Sequence, residues 1–107
     1  MDTERLLRQL AESSELEPFG ALISPLMEHD RTRRSDLVRT LKTYFAAGTN
    51  ASEAADRLFL HRNSMLYRLE RIQALTGLDL KDQRAALALQ LGLLANERGE
   101  RDATQHP

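Results

Sequence analysis

Apolar residues at helical spacing restrict the fold of this chain more than any other feature. Two groups are spaced so that each shares one helix face: Leu37, Leu41, Tyr44 and Phe45, and then Met65, Leu69 and Ile72. Long alternating runs of Val, Ile and Thr, which would predict strands, are missing. Leu and Ala, the main apolar residues, have a high intrinsic preference for helix. We therefore expect an all-α domain of four to six helices around one core.

Length and composition set limits on the class of protein. The chain has 107 residues, the size of one domain, and it contains no Cys. Disulfides and Cys-based metal sites are therefore excluded. No apolar run approaches the roughly 18–20 residues of a membrane span, and the acidic N-terminal residues do not resemble a secretory signal. We expect a cytoplasmic protein that has no contact with a membrane.

The net charge of −1 conceals an uneven distribution of charge. Residues 1–30 carry a net charge of −5, residues 31–71 carry +5, and residues 72–107 carry −1. DNA responds to a local basic patch rather than to the total charge of a chain. The middle segment is therefore a candidate nucleic-acid-binding region, although a chance scatter of charges would look similar.

Breaks in the pattern predict where helices begin and end. Residues 1–17 read as a first helix, which Pro18 and Gly20 should end, and Pro25 should interrupt the chain again. The polar run 29–34 reads as a connection between helices.

The next helix has a clear start and stop. Ser35 is a suitable N-cap, with Asp36 in the first turn, and Gly48 is placed to end the helix at the C′ position. Asn50 and Glu53 then have the spacing of a capping box at the start of a short helix.

This short helix and the one after it have the spacing of a helix-turn-helix. Ala54 and Ala55 are small enough for the close crossing of two helices, and a tight connection follows through Phe59 and Leu60. We expect Phe59 to be packed into the core. A recognition helix is predicted at about 62–75, and it ends at Gly77.

The polar face of this helix carries the candidate DNA-binding residues. Arg62 has the geometry to pair with guanine and Asn63 with adenine, if the helix lies in the major groove. The other candidates are Ser64, Arg68 and Arg71 for phosphate oxygens, Tyr67 for sugar or phosphate, and His61 for a phosphate or a base. The alternative is an ordinary helical hairpin whose arginines only face solvent.

The stretch from Gly48 to Ile72 resembles the C-terminal helix-turn-helix domain of the PucR/CdaR family, which regulates purine and sugar-diacid catabolism. The matching residues are Leu58, His61, Arg62, Asn63, Tyr67, Arg68, Leu69 and Ile72. It is similar, more distantly, to the helix-turn-helix of the nucleoid protein Fis. The resemblance covers about residues 24–95 and implies a bacterial transcriptional regulator that binds double-stranded DNA in a sequence-specific way.

Three positions depart from the family pattern. Ser64 replaces Thr and Met65 replaces Leu, while Leu66 stands where the family often has Arg. Members of the family usually have an upstream sensory region, for which these 107 residues have no room, so we expect either a part of a longer regulator or a short stand-alone relative. We accordingly divide the chain into an N-terminal helical segment or linker (1–23), the DNA-binding domain (24–98) and a disordered tail (99–107).

Other kinds of chemistry have little support. His29, His61 and His106 have no ligand partner at i+3 or i+4, and no Gly-rich phosphate loop is present. We expect no enzyme activity, no catalytic residue, no metal and no cofactor.

The competing hypothesis is a helical dimerisation or protein-interaction module that does not bind DNA. The last helix, from about Asp82 to Arg98, carries two apolar rows: Leu87, Leu91 and Leu94, and then Ala86, Leu89 and Leu93. A helix that is apolar on two sides must bury both. We expect the domain core to cover one row, and a second copy of the chain to cover the row that contains Leu89. This predicts a homodimer through the C-terminal helix, unless residues 1–23 fold back over that row.

Overall fold

The structure, a computed structural model, describes the backbone of residues 2–105 and the side chains of residues 2–97. Within that part of the chain it contains only helices and connections, so the all-α prediction is confirmed. A 3-10 turn at Ser14–Leu16 separates the first two helices. The α-helices are α1 (Thr3–Ala11), α2 (Glu17–Arg33), α3 (Leu37–Ala46), α4 (Ala51–Arg57), α5 (Arg62–Thr76) and α6 (Gln83–Gln105).

Helix α2 contradicts the expected breaks at Pro18, Gly20 and Pro25, since all three lie inside it. Pro18 is in the first turn, where its missing N–H has no helical partner to lose. Pro25 and the residue four positions earlier, Ala21, are both exposed, so water can satisfy the carbonyl left without a donor. The opposite face of α2 buries Ile23 completely, and this packing outweighs the local preference against helix.

Among the helices that the structure describes, α2 and α6 make the most extensive contact with each other. At the crossing, Gly92 is so close to α2 that an added Cβ would lie 2.4 Å from the carbonyl oxygen of Phe19. Leu89 and Leu93 of α6 are buried in the hydrophobic core. The row expected to bind a second chain is therefore part of the domain's own core, and Leu87 of the other row is 50% exposed.

Helices α3, α4 and α5 form a three-helix unit on the remaining side of the core. Helix α3 ends as predicted, because Gly48 adopts a left-handed conformation at the C′ position (φ 67°). The N–H of Thr49 donates to the carbonyl of Tyr44 at 2.9 Å, and the N–H of Gly48 donates to Phe45 at 3.0 Å. This pair of hydrogen bonds is a Schellman motif, which closes the helix and directs the chain into α4.

The start of α3 differs from the prediction. Ser35 does not cap the helix, and Asp36, at the N-cap position, makes no side-chain capping bond. Instead, Asp30 of α2 accepts the N–H groups of Leu37 at 2.7 Å and of Val38 at 3.0 Å. The polar run 29–34 is mostly the last turn of α2 rather than a connection, so its carboxylate reaches the next helix.

The C-terminal helix is longer than predicted. Helix α6 continues to Gln105, beyond the expected end at Arg98. Within the segment 99–107, for which we predict disorder, the side chains lie outside the described residues, as do His106 and Pro107 entirely. The expected boundary between residues 23 and 24 falls within α2.

Candidate nucleic-acid interface

A side chain caps the start of the short helix α4, and small residues line its crossing with α5. Asn50 caps it, since its side-chain oxygen accepts the N–H of Glu53 at 3.0 Å. Only this half of the predicted capping box forms, because the carboxylate of Glu53 pairs with Arg57 at 2.9 Å. Ala54 and Ala55 are buried, as the close crossing of α4 and α5 requires.

The turn between α4 and α5 closes through a second Schellman motif. The N–H of Leu60 donates to the carbonyl of Ala55 at 2.9 Å, and the N–H of Phe59 donates to Asp56 at 3.2 Å. Phe59 therefore occupies the left-handed C′ position (φ 56°), which glycine favours. The expectation that Phe59 packs into the core is wrong, because its side chain is 94% exposed. The left-handed backbone directs the ring outwards, while the half-buried Leu58 and Leu60 pack against the core.

Helix α5 presents one face to the core and the other to solvent. Met65 and Ile72 are completely buried and Leu69 is nearly so, as their spacing predicts. The opposite face is polar, apart from Leu66, which is 41% exposed. The structure brings the predicted DNA-binding residues together along this helix and its N-cap, and all except Arg68 are exposed: His61, Arg62, Asn63, Ser64, Tyr67 and Arg71.

The N-terminal end of α5 is organised by His61. Its Nδ1 accepts the backbone N–H of Asn63 at 3.1 Å, which caps the helix. A nitrogen that accepts a hydrogen bond carries no proton, so the neutral ring holds its proton on Nε2. His61 can therefore cap the helix and donate a hydrogen bond to an oxygen outside the domain at the same time. The side chains of Arg62 and Asn63 follow directly in the first turn.

Arg68 differs from the other candidates because it is half-buried against α3. Its Nη1 donates to Oγ1 of Thr40 at 3.0 Å, and Thr40 donates in turn to the carbonyl of Asp36 at 2.7 Å. This bond gives Arg68 a fixed position, with further guanidinium N–H groups available. Arg71, one turn later, is exposed.

An open groove of 470 Å³ runs along this face of α5. Five candidate residues line it on the α5 side: Asn63, Ser64, Tyr67, Arg68 and Arg71. The opposite wall includes His29 of α2 and Ser35 of the α2–α3 connection. Sequence reasoning missed these two residues, since neither shares a helix or a periodic pattern with α5. The position of His29 depends on the unexpected continuation of α2.

The described part of the chain contains neither a metal-ligand cluster nor a membrane-spanning helix. Among its residues, no three His, Cys, Asp or Glu side chains are grouped closely enough to hold a metal ion. None of the helices in that part is both long and apolar enough to span a bilayer.

Two helices that cross through a tight turn, with the second exposing a polar face, define a helix-turn-helix of the class found in transcriptional regulators. Residues 37–95 match the model of the PucR C-terminal helix-turn-helix domain. The match covers α3, α4, α5 and the first half of α6, and the chain belongs to this family.

Several regulators are similar to most of this chain. The purine catabolism regulatory protein of Bacillus subtilis is 35% identical over 92 residues, which are 86% of this chain and 17% of that protein. The proline-responsive transcriptional activator PutR of the same organism is 31% identical over 91 residues, 84% of this chain and 22% of that protein.

A further relative comes from another bacterium. The carbohydrate diacid regulator of Escherichia coli is 41% identical over 61 residues, which are 57% of this chain and 16% of that protein. The chain thus spans about a fifth of the length of these relatives. No solved structure matches it.

Proposed function

We propose that this domain binds double-stranded DNA in a sequence-specific way and regulates transcription. The observation that carries the proposal is the exposed polar face of α5, which a helix-turn-helix leaves free to enter a DNA groove. The charge of residues 31–71 supports the proposal, since this basic segment contains α4, the turn after it and α5 as far as Arg71.

In the proposed complex, α5 lies in the major groove with its N-terminal end against the bases. Arg62 is exposed in the first turn, where a bidentate contact to guanine O6 and N7 is possible, and Asn63 is placed for adenine. Ser64, Arg68 and Arg71 contact phosphates, which give affinity without reading sequence. Tyr67, which is 66% exposed, contacts sugar or phosphate, and His61 donates to a phosphate or a base.

The relatives support regulation as the purpose of this binding. Those compared above are named as regulators or activators of catabolism or of a metabolite response. We place this chain in the cytoplasm at the nucleoid, where its DNA would be, and assign it neither a catalytic role nor a cofactor.

Selection from a random pool of DNA duplexes tests sequence specificity directly. The expected result is one enriched motif, to which Arg62→Ala binds about 1–3 kcal/mol more weakly, with relaxed preference at one base pair. An Arg62→Ala variant with unchanged affinity and preference would show that Arg62 does not read bases.

A salt titration separates DNA binding from the competing hypothesis, a protein-interaction module without DNA binding. Contacts to several phosphates release counterions, so affinity should fall steeply as salt concentration rises. Feeble binding that is indifferent to sequence would favour the interaction module. Leu66 and Phe59, both apolar and exposed, would then be its contact residues.

We further propose that two copies pair through α6 by the row that contains Leu87. Leu91 and Leu94 of this row are only half-buried, and Leu7 of α1 extends the apolar surface beside them. A two-fold dimer that places its two recognition helices about one DNA turn apart, roughly 34–36 Å, would bind a palindromic site.

Sedimentation equilibrium at micromolar concentration tests the dimer. We expect a dimer mass for the wild type and a monomer mass for Leu87→Glu with unchanged helix content. Ala21→Glu, an exposed change on the solvent face of α2, is the matched control and should remain dimeric. A monomer mass for the wild type would rule out pairing of this chain by itself. Leu89→Glu is unsuitable as a probe, since it would place a charge in the core.

A further inference from the structure

The groove beside α5 has a second wall that the proposed DNA contacts leave unused. His29 and Ser35 line this wall, and Tyr67, Arg68 and Arg71 line the α5 side. The walls come from separate helices, and two arginines border one space. Such a groove has the shape and the charge to hold a single phosphodiester group of a DNA strand.

The N-terminus of α3 does not itself provide the anion site. Its first N–H groups, those of Leu37 and Val38, are already taken by the carboxylate of Asp30. Asp30 also accepts the hydroxyl of Ser35 at 2.5 Å. With three donors directed at it, the negative charge of Asp30 is compensated within the protein, so any anion in the groove must be held by side chains.

The hydrogen bonds of Ser35 determine where His29 carries its proton. Ser35 has one hydroxyl proton, which it donates to Asp30. The contact of 2.7 Å between Ser35 Oγ and His29 Nδ1 therefore requires a proton on Nδ1. A neutral ring with this proton has a lone pair on Nε2, and only the imidazolium form can donate from both nitrogens.

We propose that His29 binds a phosphodiester oxygen of the bound DNA through Nε2, as an imidazolium, from the wall opposite Arg71. This inference rests on the proposed DNA binding and extends its contacts to the α2–α3 corner. The step takes up one proton from solvent when the ring of the free protein is neutral: Nε2 gains the proton and donates it in a hydrogen bond to the phosphate. Ser35 and Asp30 act as positioning residues that fix the ring.

The charged groups around His29 determine whether protonation of its ring and DNA binding favour or oppose each other. Arg68 and Arg71 of α5 repel a charged ring, whereas Asp30, through Ser35, attracts it. Asp36, at the start of α3, is exposed enough to form an ion pair with Arg39 instead. A phosphate in the groove adds attraction for the imidazolium, so protonation and DNA binding favour each other. Affinity should therefore be higher at low pH than at high pH.

His61 provides an internal contrast, because its Nδ1 accepts a hydrogen bond rather than donating one. The neutral form of His61 caps α5 and can donate from Nε2, and protonation on Nδ1 would break the cap. Only the difference between the wild type and a His29 variant isolates the proposed contact.

The test compares the full chain with His29→Gln, which keeps a polar side chain but cannot carry the charge. The probe is a labelled duplex of mixed sequence with three helical turns, roughly 30 base pairs. We expect His29→Gln to bind about 3- to 10-fold more weakly at about pH 6 and nearly as well at about pH 8. At the lower pH, the slope of the logarithm of its binding constant against the logarithm of salt concentration (the salt slope) should be smaller by about one unit.

Two control variants show what a failure means. Arg31→Ala removes a full charge from the same turn of α2, outside the groove, and should change binding less than His29→Gln does. Arg71→Ala reports on DNA binding itself. If Arg71→Ala weakens binding and His29→Gln does not, the phosphate contact of His29 is overturned while DNA binding stands. An equal effect of Arg31→Ala would show that His29 contributes only to the general positive charge of this surface. That result would also overturn the proposed phosphate contact.

A measurement on the wild type does not depend on how the variants fold. Nuclear magnetic resonance of the His29 ring at about pH 7 should show a shift towards the imidazolium form when the duplex is added. A ring spectrum that stays unchanged in the bound state would contradict the proposal. Absence of any duplex binding by the wild type would instead overturn the proposed function, and this inference with it.

Discussion

The α2–α6 pair and the three-helix unit of α3, α4 and α5 are built by different means. In the pair, two helices approach until the backbone of Phe19 meets Gly92, and no atom can be added between them. In the unit, side chains such as Met65 and Ile72 fill the space between helices, and left-handed turns at Gly48 and Phe59 set the crossing angles. The pair is sensitive to added volume, whereas the unit is sensitive to the conformation of its turns.

This difference shows which part of the domain can accept substitutions without loss of the core. The close crossing with α6 lies in the first half of α2, and Asp30 near the other end of α2 caps α3. The outer face of the unit contributes little to the core and carries the polar residues of α5. A rigid pair thus supports a unit whose surface can vary with its target.

The largest expected effect comes from Gly92→Ala. The added Cβ would lie 2.4 Å from Phe19 O and 2.8 Å from Cγ1 of Ile23, so the helices must separate. We expect the free energy of unfolding to fall by about 3 kcal/mol, measured by urea denaturation.

Gly20→Ala is the matched control on the facing helix. Its Cβ would lie 3.4 Å from the Cβ of Ala95, an ordinary contact. Alanine also suits a helix better than glycine, so stability should stay the same or rise by about 0.5–1 kcal/mol. Equal effects of the two substitutions would show that the helices do not cross closely at Gly92.

The next effect tests the link between the two regions. Asp30→Ala removes the acceptor of two backbone N–H groups at the start of α3 and should lower stability by about 2 kcal/mol. Asp36→Ala, at the formal N-cap position without a capping bond, should change it by less than about 0.5 kcal/mol. Thermal unfolding measures both, and a larger loss for Asp36→Ala than for Asp30→Ala would show that Asp30 is not the main cap of α3.

A smaller effect of opposite sign is expected at the turn before α5. Phe59→Gly should raise stability by about 1 kcal/mol, because glycine adopts positive φ without strain and no buried contact is lost. Gly48→Ala, at the equivalent position after α3, should lower it by a similar amount, although nothing lies within 4 Å of the added Cβ. Destabilisation by Phe59→Gly, seen in urea denaturation, would mean that the ring packs within the domain.

The smallest expected effects on stability separate two arginines of α5. Arg68→Ala loses the hydrogen bond to Thr40 and should lower stability by about 1 kcal/mol, whereas Arg71→Ala should stay within about 0.5 kcal/mol. Both should weaken binding to all duplexes and reduce the salt slope by about one unit each. Unchanged slopes in both variants would argue against phosphate contacts from this part of α5.

The three-helix unit was largely predictable from sequence because its signals are local. The spacing of Met65, Leu69 and Ile72 correctly located the buried face of α5, and Gly48 and Gly77 correctly located two helix ends. The polar face follows by elimination from the same periodicity. Phe59 was misplaced, because a large apolar residue normally predicts burial and the left-handed turn could not be read from the residue itself.

The N-terminal half was less predictable because long-range packing decides it. Pro18, Gly20 and Pro25 each favour a break locally, yet contact with α6 continues α2 through all three. The cap from Asp30 and the groove wall at His29 depend on that continuation. For the same reason, sequence periodicity found two apolar rows on α6 but assigned Leu89 to a partner chain rather than to the core of the domain.

Methylation interference on the selected duplex tests the placement of α5 most directly. Methylation of guanine N7 modifies the major groove, and methylation of adenine N3 modifies the minor groove. With α5 in the major groove and Arg62 at a guanine, N7 methylation within the site should abolish wild-type binding and should affect Arg62→Ala less at one guanine. Interference at adenine N3 alone, with none at guanine N7, would contradict this placement of the helix.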